Sequence, residues 1–98
     1  MARRRVGSNQ YKTRAGSADV PAAAGDLLAQ VAQDPEWRVR LRAAQHPRTP
    51  PEALARLARD EVVAVRLRVA QHSRTPPEAL ARLARDEVVA VRVVALEH

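Results

Sequence analysis

TPPEALARLARDEVVAVR, the sequence of residues 49–66, occurs again letter for letter at residues 75–92. The two copies start 26 residues apart, and one period earlier residues 23–48 share many letters with residues 49–74. A period of about 20 to 50 residues is typical of stacked supersecondary units, about three of which form a stable core. The sequence therefore predicts three units, at residues 23–48, 49–74 and 75–98.

Each unit has the pattern of two short helices joined by a corner. TPPE at residues 49–52 is a capping box with prolines in the first turn, so a helix is expected to begin near Pro50. An apolar stripe follows at helical spacing, and Asp60 offers the N-cap of a second helix that runs to His72. These patterns predict an all-α fold, a short α-solenoid. The side chains expected to face its core are Leu28, Leu54, Leu80, Val31, Leu57 and Leu83.

The segment before the repeats is predicted to be a flexible basic arm. Residues 1–22 hold five basic side chains and one acid, a net charge of 5 − 1 = +4, whereas the other residues hold 12 basic and 10 acidic side chains, or +2. Polar and glycine residues are frequent among them, and Asp19 with Pro21 offers a helix start. The arm is therefore placed at residues 1–19 and the repeat domain at residues 20–98.

The arm combines charge that attracts phosphates with one aromatic ring for stacking, and arginine-rich segments often fold on nucleic acid. A solubilising tail explains the same composition. The arm residues that we consider for nucleic-acid or anion binding are Arg3, Arg4, Arg5, Tyr11, Lys12 and Arg14.

Several motifs of the unit match a known repeat pattern. They are TPPE at residues 49–52, the leucines and Asp60 that follow, the Val65-Arg66 pair and the ending at His72. With three copies in register over about 76 of the 98 residues, the sequence resembles the leucine-rich repeat variant family. HEAT repeats are a second resemblance, because of the spacing from Asp60 to Arg66.

The resemblance to the variant family implies a right-handed solenoid in which α-helices alternate with 3-10 helices, and the alternative is a solenoid of α/α pairs. The family has no common activity, so the resemblance implies a binding surface. Some members are associated with a cysteine-bound iron–sulfur cluster. This chain contains no Cys, so no such cofactor is expected.

Composition and motifs also limit the function. Without Cys there is no disulfide scaffold and no thiolate zinc site. No apolar run approaches the roughly 20 residues of a membrane span, so we expect a cytoplasmic protein and no membrane partner. The preference for Arg over Lys is typical of a GC-rich bacterial genome. No phosphate-binding loop, zinc-protease helix or nucleophile elbow occurs, so we expect neither enzymatic activity nor a cofactor.

Two kinds of side chain recur once per unit and invite a functional interpretation. The histidines form one column, but stacked helices lie roughly 8 to 10 Å apart, too far for shared metal ligation, so we expect them to close the second helix. Their positions are His46, His72 and His98. The arginines six residues after each unit's aspartate are expected to pair with aspartates across units. Their positions are Arg40, Arg66 and Arg92.

The remaining arginine columns are open to either a solvated-surface or an anion-binding interpretation. Among them we single out Arg42 and Arg68 as candidates for nucleic-acid or anion binding. The first hypothesis for function is thus a non-catalytic helical-repeat module whose partner is anionic, such as nucleic acid. An adaptor that binds an acidic protein surface and a self-associating scaffold are the alternatives.

The third unit repeats the apolar pattern of the second unit. In the second unit the following unit is expected to cover this pattern, but no fourth unit follows in the sequence. An uncovered apolar stripe is typical of an interface. We therefore expect either a homodimer about a two-fold axis or a native chain that continues beyond residue 98. The residues assigned to self-association are Val88, Val91 and Leu96.

Overall fold

The computed structural model describes residues 19–98, with side chains from residue 24 onward. This part of the chain contains six α-helices and no β-strand. An all-α helical repeat is therefore confirmed. The helices are α1 (Asp19–Val31), α2 (Trp37–Gln45), α3 (Pro51–Leu57), α4 (Val63–Gln71), α5 (Pro77–Leu83) and α6 (Val89–Leu96).

The second helix of each unit forms the continuous spine of the stack. Helix α2 packs along α4, and α4 packs along α6. The first helices α3 and α5 touch each other over a smaller area, and each packs on the second helix of its own unit. Each unit therefore meets its neighbours mainly through its second helix, as expected for a solenoid whose units contact only adjacent units.

The core consists of small and medium apolar side chains. Its largest fully buried members are Leu54, Leu57, Val65, Val69, Leu83 and Val91, with alanines between them. Alanine allows neighbouring helices to approach closely, which suits a stack of helices only two turns long. Three residues expected in the core are only half-buried, because the outer units have a neighbour on one side. They are Leu28, Val31 and Leu80.

The predicted capping box does not form. Helices α3 and α5 begin at Pro51 and Pro77, close to the expected positions, but the N-cap positions are prolines and have no side-chain cap bond. The Thr75 hydroxyl instead donates to the Val69 carbonyl at 2.6 Å, and Thr49 donates to Ala43 in the same way. Both threonines are buried. Each therefore ties the start of a unit to the end of the preceding helix.

The expected 3-10 helices are absent from residues 19–98, where every helix is α-helical. Bonds of the i to i+3 type occur at helix ends, as from the Arg59 N–H to Arg56 and from the Asp60 N–H to Leu57. The structure therefore supports the α/α alternative. The 3-10 character implied by the family resemblance is limited to the terminal turns.

Candidate functional site

The corner between the two helices of a unit is organised by an aspartate. The Asp60 Oδ1 accepts the Val62 N–H at 2.9 Å, and the Asp86 Oδ1 accepts the Val88 N–H at 2.9 Å. The N-cap positions themselves are Val62 and Val88. The aspartate thus lies two residues before the N-cap and supports the corner by an Asx turn, which differs slightly from the N-cap predicted from the sequence.

The arginine column pairs with these aspartates across units, as the sequence predicted. The Arg40 Nε donates to the Asp60 Oδ2 at 2.6 Å and its Nη2 to Oδ1 at 3.1 Å, while its Nη1 donates to the Asp34 carbonyl at 2.9 Å. Arg66 repeats the same three bonds one unit later, with the Asp86 carboxylate and the Asp60 carbonyl. The bidentate geometry fixes both position and direction.

These ion pairs lie in partly buried corners and shift the pKa of both partners. Burial opposes ionisation of Asp60, but the hydrogen bonds from Arg40 and from the Val62 N–H outweigh it and lower the pKa of the carboxyl. At Asp86 the hydrogen bond from Arg66 is the largest cause of a lowered pKa. The same bonds raise the pKa of Arg40 and Arg66. All four groups are therefore charged at neutral pH.

The histidine column has a structural role, as predicted. His46 and His72 are the C-cap residues of α2 and α4. The His72 Nε2 lies 2.7 Å from the His46 carbonyl, and its Nδ1 accepts the Arg74 N–H at 3.0 Å. The His98 Nε2 contacts the His72 carbonyl at 2.7 Å. Residues 19–98 contain no cluster of side chains able to hold a metal ion.

Charge is segregated between the two halves of the first and second units. Residues 37–51 and 63–77, which include α2, α4 and the turns that follow them, contain arginines and no Asp or Glu. In this half, Arg40 and Arg66 are engaged in the pairs just described, and Arg38 pairs with Glu36 at 3.3 Å and lies 5.0 Å from the Trp37 ring centre. Within residues 37–51 and 63–77, the exposed arginines without an ion pair to a described residue are Arg42, Arg48, Arg68 and Arg74. We call these four the basic row.

The first half of the second and third units carries charges of both signs. A groove of about 880 Å³ lies between the corner after α3 and the helix α5. Its charged lining includes Arg59, Arg82 and Arg85 and also Glu61, Glu78 and Glu87. A surface of this kind offers no net attraction to a polyanion.

Two adjacent stretches, residues 37–62 and 63–88, match the model of the leucine rich repeat variant family, and together they make up more than half of the chain. The chain belongs to this family. The family unit is 26 residues long and begins at the second helix, at Trp37 and Val63, half a unit away from the boundaries chosen from the sequence. The chain matches no curated protein and no solved structure at a significant level.

Membership of the leucine-rich repeat variant family makes the chain a helical-repeat binding module, a class whose exposed helix faces and ends contact partners. Of the residues predicted for anion binding, Arg42 and Arg68 occupy equivalent exposed positions on α2 and α4. The candidates of the arm, residues 3–14, lie outside the described residues. No helix of residues 19–98 is both long and apolar enough to cross a membrane.

The prediction of the self-association residues is wrong for two of the three positions. Val91 is 0% exposed and Val88 is half-buried, because both pack into the core of their own chain. Leu96 is 73% exposed, as expected. The sequence interpretation missed Val89 and Val93, which are exposed with Leu96 on one face of α6. Their spacing of four and then three residues was the available signal.

Proposed function

We propose that this leucine-rich repeat variant protein is a non-catalytic binding module for a polyanion, specifically nucleic acid. The basic row carries the proposal, because these four exposed arginines have no ion pair among the described residues and belong to two segments, residues 37–51 and 63–77, that contain no Asp or Glu. The guanidinium group suits this role, since it remains charged and presents a planar fork of donors to phosphate oxygens. The sequence adds the basic residues of the arm.

The stack gives the row its spacing. Arg42 and Arg68 are one unit apart on helices that pack directly on each other, so their backbones are separated by roughly 8 to 10 Å. Arg48 and Arg74 lie in the turns after the same helices, three residues beyond their last residues. Long arginine side chains on such a frame can contact several phosphates of one strand without reading its bases. We therefore expect binding with little sequence preference.

The test is fluorescence anisotropy with a labelled single-stranded oligonucleotide of about 20 nucleotides, measured against salt concentration. Replacing Arg42→Gln and Arg68→Gln together removes two phosphate contacts, so the log–log salt slope should become shallower by about 1.4. The matched control is Arg56→Gln with Arg82→Gln, which removes the same charge from α3 and α5. The control pair should change the slope by much less.

The arm is tested separately by deleting residues 2–14, which removes five basic side chains. Each phosphate contact that is lost should flatten the slope by about 0.7 on a single strand or 0.9 on a duplex. Absence of binding at about 50 mM salt, where such contacts are strong, would contradict the proposal. Equal effects of the two arginine pairs would show that binding is not localised to the basic row.

A protein partner is the second candidate, and the groove of mixed charge favours it. Electrostatic complementarity across an interface needs charges of both signs in fixed places, and the groove offers them beside the ordered Asp60 and Asp86 corners. An adaptor would bind through the corner after α3 and the helix α5. If oligonucleotide binding is absent and a captured protein is lost in the Arg59→Gln, Arg82→Gln variant, which changes two arginines of the groove, this second function replaces the first.

A further inference from the structure

The two ends of the solenoid expose opposite sides of the same repeat interface. Position 96 is occupied by Leu96, which is 73% exposed, whereas the equivalent Ala44 and Ala70 are buried. Only the units that have a following unit bury this position, so it faces the following unit. Val93 of the same helix is 45% exposed, whereas the equivalent Leu41 and Leu67 are half-buried. The C-terminal end thus presents the surface that one unit offers to the next.

The N-terminal end presents the other side. Leu27 is 60% exposed, whereas the equivalent Ala53 and Ala79 are buried in units that have a preceding unit. Val39 is likewise half-buried where its equivalents Val65 and Val91 are fully buried. Both ends therefore carry apolar side chains at positions that another unit covers inside the stack.

The two partners of the cross-unit ion pair also lie at opposite ends of the solenoid, the arginine at the C-terminal end and the aspartate at the N-terminal end. The Arg92 Nη1 donates to the Asp86 carbonyl at 2.7 Å, the bond that holds Arg66 in place one unit earlier. Its Nε and Nη2 have no carboxylate partner among the described residues, although in Arg66 these atoms bind Asp86. At the C-terminal end, the Arg92 guanidinium is therefore held in place while its Nε and Nη2 atoms remain available to a carboxylate.

The matching carboxylate is at the opposite end. The Asp34 side chain accepts the Glu36 N–H at 2.9 Å, as Asp60 accepts the Val62 N–H, so the two aspartates have the same local geometry. The Asp60 carboxylate is bound by Arg40, but the Asp34 carboxylate has no arginine partner among the described residues. The histidine column is divided in the same way, because the His46 Nε2 has no bond to a described residue, whereas the His72 Nε2 contacts the preceding unit.

We propose that the C-terminal end of one copy binds the N-terminal end of a second copy, so that the stack of units continues from chain to chain. Arg92 of one copy then binds Asp34 of the next, while the apolar face of α6 covers Leu27 and Val39. This contact joins two different surfaces, so it does not close into a two-fold dimer and allows further copies to add. It replaces the symmetric pairing expected from the sequence, and it does not rest on nucleic-acid binding.

Sedimentation velocity over a wide range of protein concentration tests the proposal without nucleic acid. The wild-type mass should rise with concentration beyond that of a dimer. Asp34→Arg and Arg92→Asp should each weaken association by at least about 30-fold, because each places like charges in a partly buried contact. Arg56→Asp, an equal change on an exposed residue of the middle unit, is the control and should leave association unchanged.

Combining the charge reversals distinguishes head-to-tail contact from a two-fold one. Asp34→Arg together with Arg92→Asp in one chain should restore growth, because the reversed charges complement each other. Mixing the two single variants should also restore growth, with the two variants alternating along the stack, whereas a two-fold contact would stop at a one-to-one pair. Leu96→Ser tests the apolar part independently, with circular dichroism to verify folding of every variant. A strict monomer at all concentrations, or a dimer unaffected by Asp34→Arg, would overturn the proposal.

Discussion

The second and third units share eighteen consecutive letters but have different surroundings. Leu54 is 0% exposed in the second unit, whereas the identical Leu80 is half-buried in the third. Arg66 holds a carboxylate in the next unit with two bonds, whereas Arg92 bonds only to a backbone carbonyl of its own unit. Identical residues therefore contribute differently to stability, and the size of the contribution depends on the neighbouring unit.

The largest expected difference concerns the leucines. Leu54→Ala should lower the free energy of unfolding by about 2 to 5 kcal/mol, because it opens a cavity between units. Leu80→Ala removes the same atoms from a half-buried site and should cost less. Urea denaturation of both variants at low protein concentration measures the difference. Equal losses, or a Leu54→Ala melt within a few degrees of the wild type, would mean that the neighbouring unit does not determine burial.

The arginines should show a similar but smaller contrast. Arg66→Ala leaves Asp86 without its partner in a partly buried corner and should cost about 2 to 3 kcal/mol, since hydrogen bonds to charged groups are stronger than neutral ones. Arg92→Ala removes one bond to a carbonyl and should cost about 1 kcal/mol. The double variant Arg66→Ala, Asp86→Ala measures how much of the first loss is due to the unpaired carboxylate.

Acid should reduce the stability that the corners at Asp60 and Asp86 contribute. Because the pKa of Asp60 and Asp86 is lowered in the folded protein, the unfolded chain binds protons more readily. The resulting stabilisation is complete above the ordinary carboxyl pKa of about 3.9 and is lost as the pH falls through the lower folded value. Asp86→Asn should reduce stability at pH 7 and flatten the decline of the melting temperature in acid. Glu87→Gln, a change at the exposed neighbour, should leave the decline as it is.

The smallest expected difference lies in the histidines. His72→Ala loses its contact with the His46 carbonyl and the bond from the Arg74 N–H, whereas His98→Ala loses one contact with the His72 carbonyl. At about 1 kcal/mol per net hydrogen bond, His72→Ala should be the more destabilising of the two. Thermal melts of the two variants decide the order. A larger loss at His98 would show that the column does not contribute as the geometry suggests.

Much of the fold follows from the sequence because the same pattern occurs in three copies, so that each copy supports the interpretation of the others. The 26-residue period, the helix starts beside Pro50 and Pro76 and the pairing of Arg40 and Arg66 with later aspartates were all predictable from spacing. The exposure of Arg42 and Arg68 also followed from their position on the polar side of the helical pattern. Local periodicity determines these features.

The features that could not be predicted depend on the neighbouring unit. TPPE has the letters of a capping box, but the stack buries Thr49 against the end of α2, so its hydroxyl bonds there. The sequence predicts Val91 for self-association, because an apolar stripe alone does not show which of its residues the preceding unit covers. Comparing the three units position by position in the structure identifies Val89 and Val93 as exposed instead.

The cross-unit contacts join residues at a constant separation. The ion pairs connect positions 20 apart and the histidine contacts positions 26 apart, and each bond repeats with the period of the units. A gene segment encoding one whole unit could therefore be duplicated or lost by recombination without leaving a mismatched contact. Copy number then becomes a heritable variable that changes the length of the binding surface in steps of one unit.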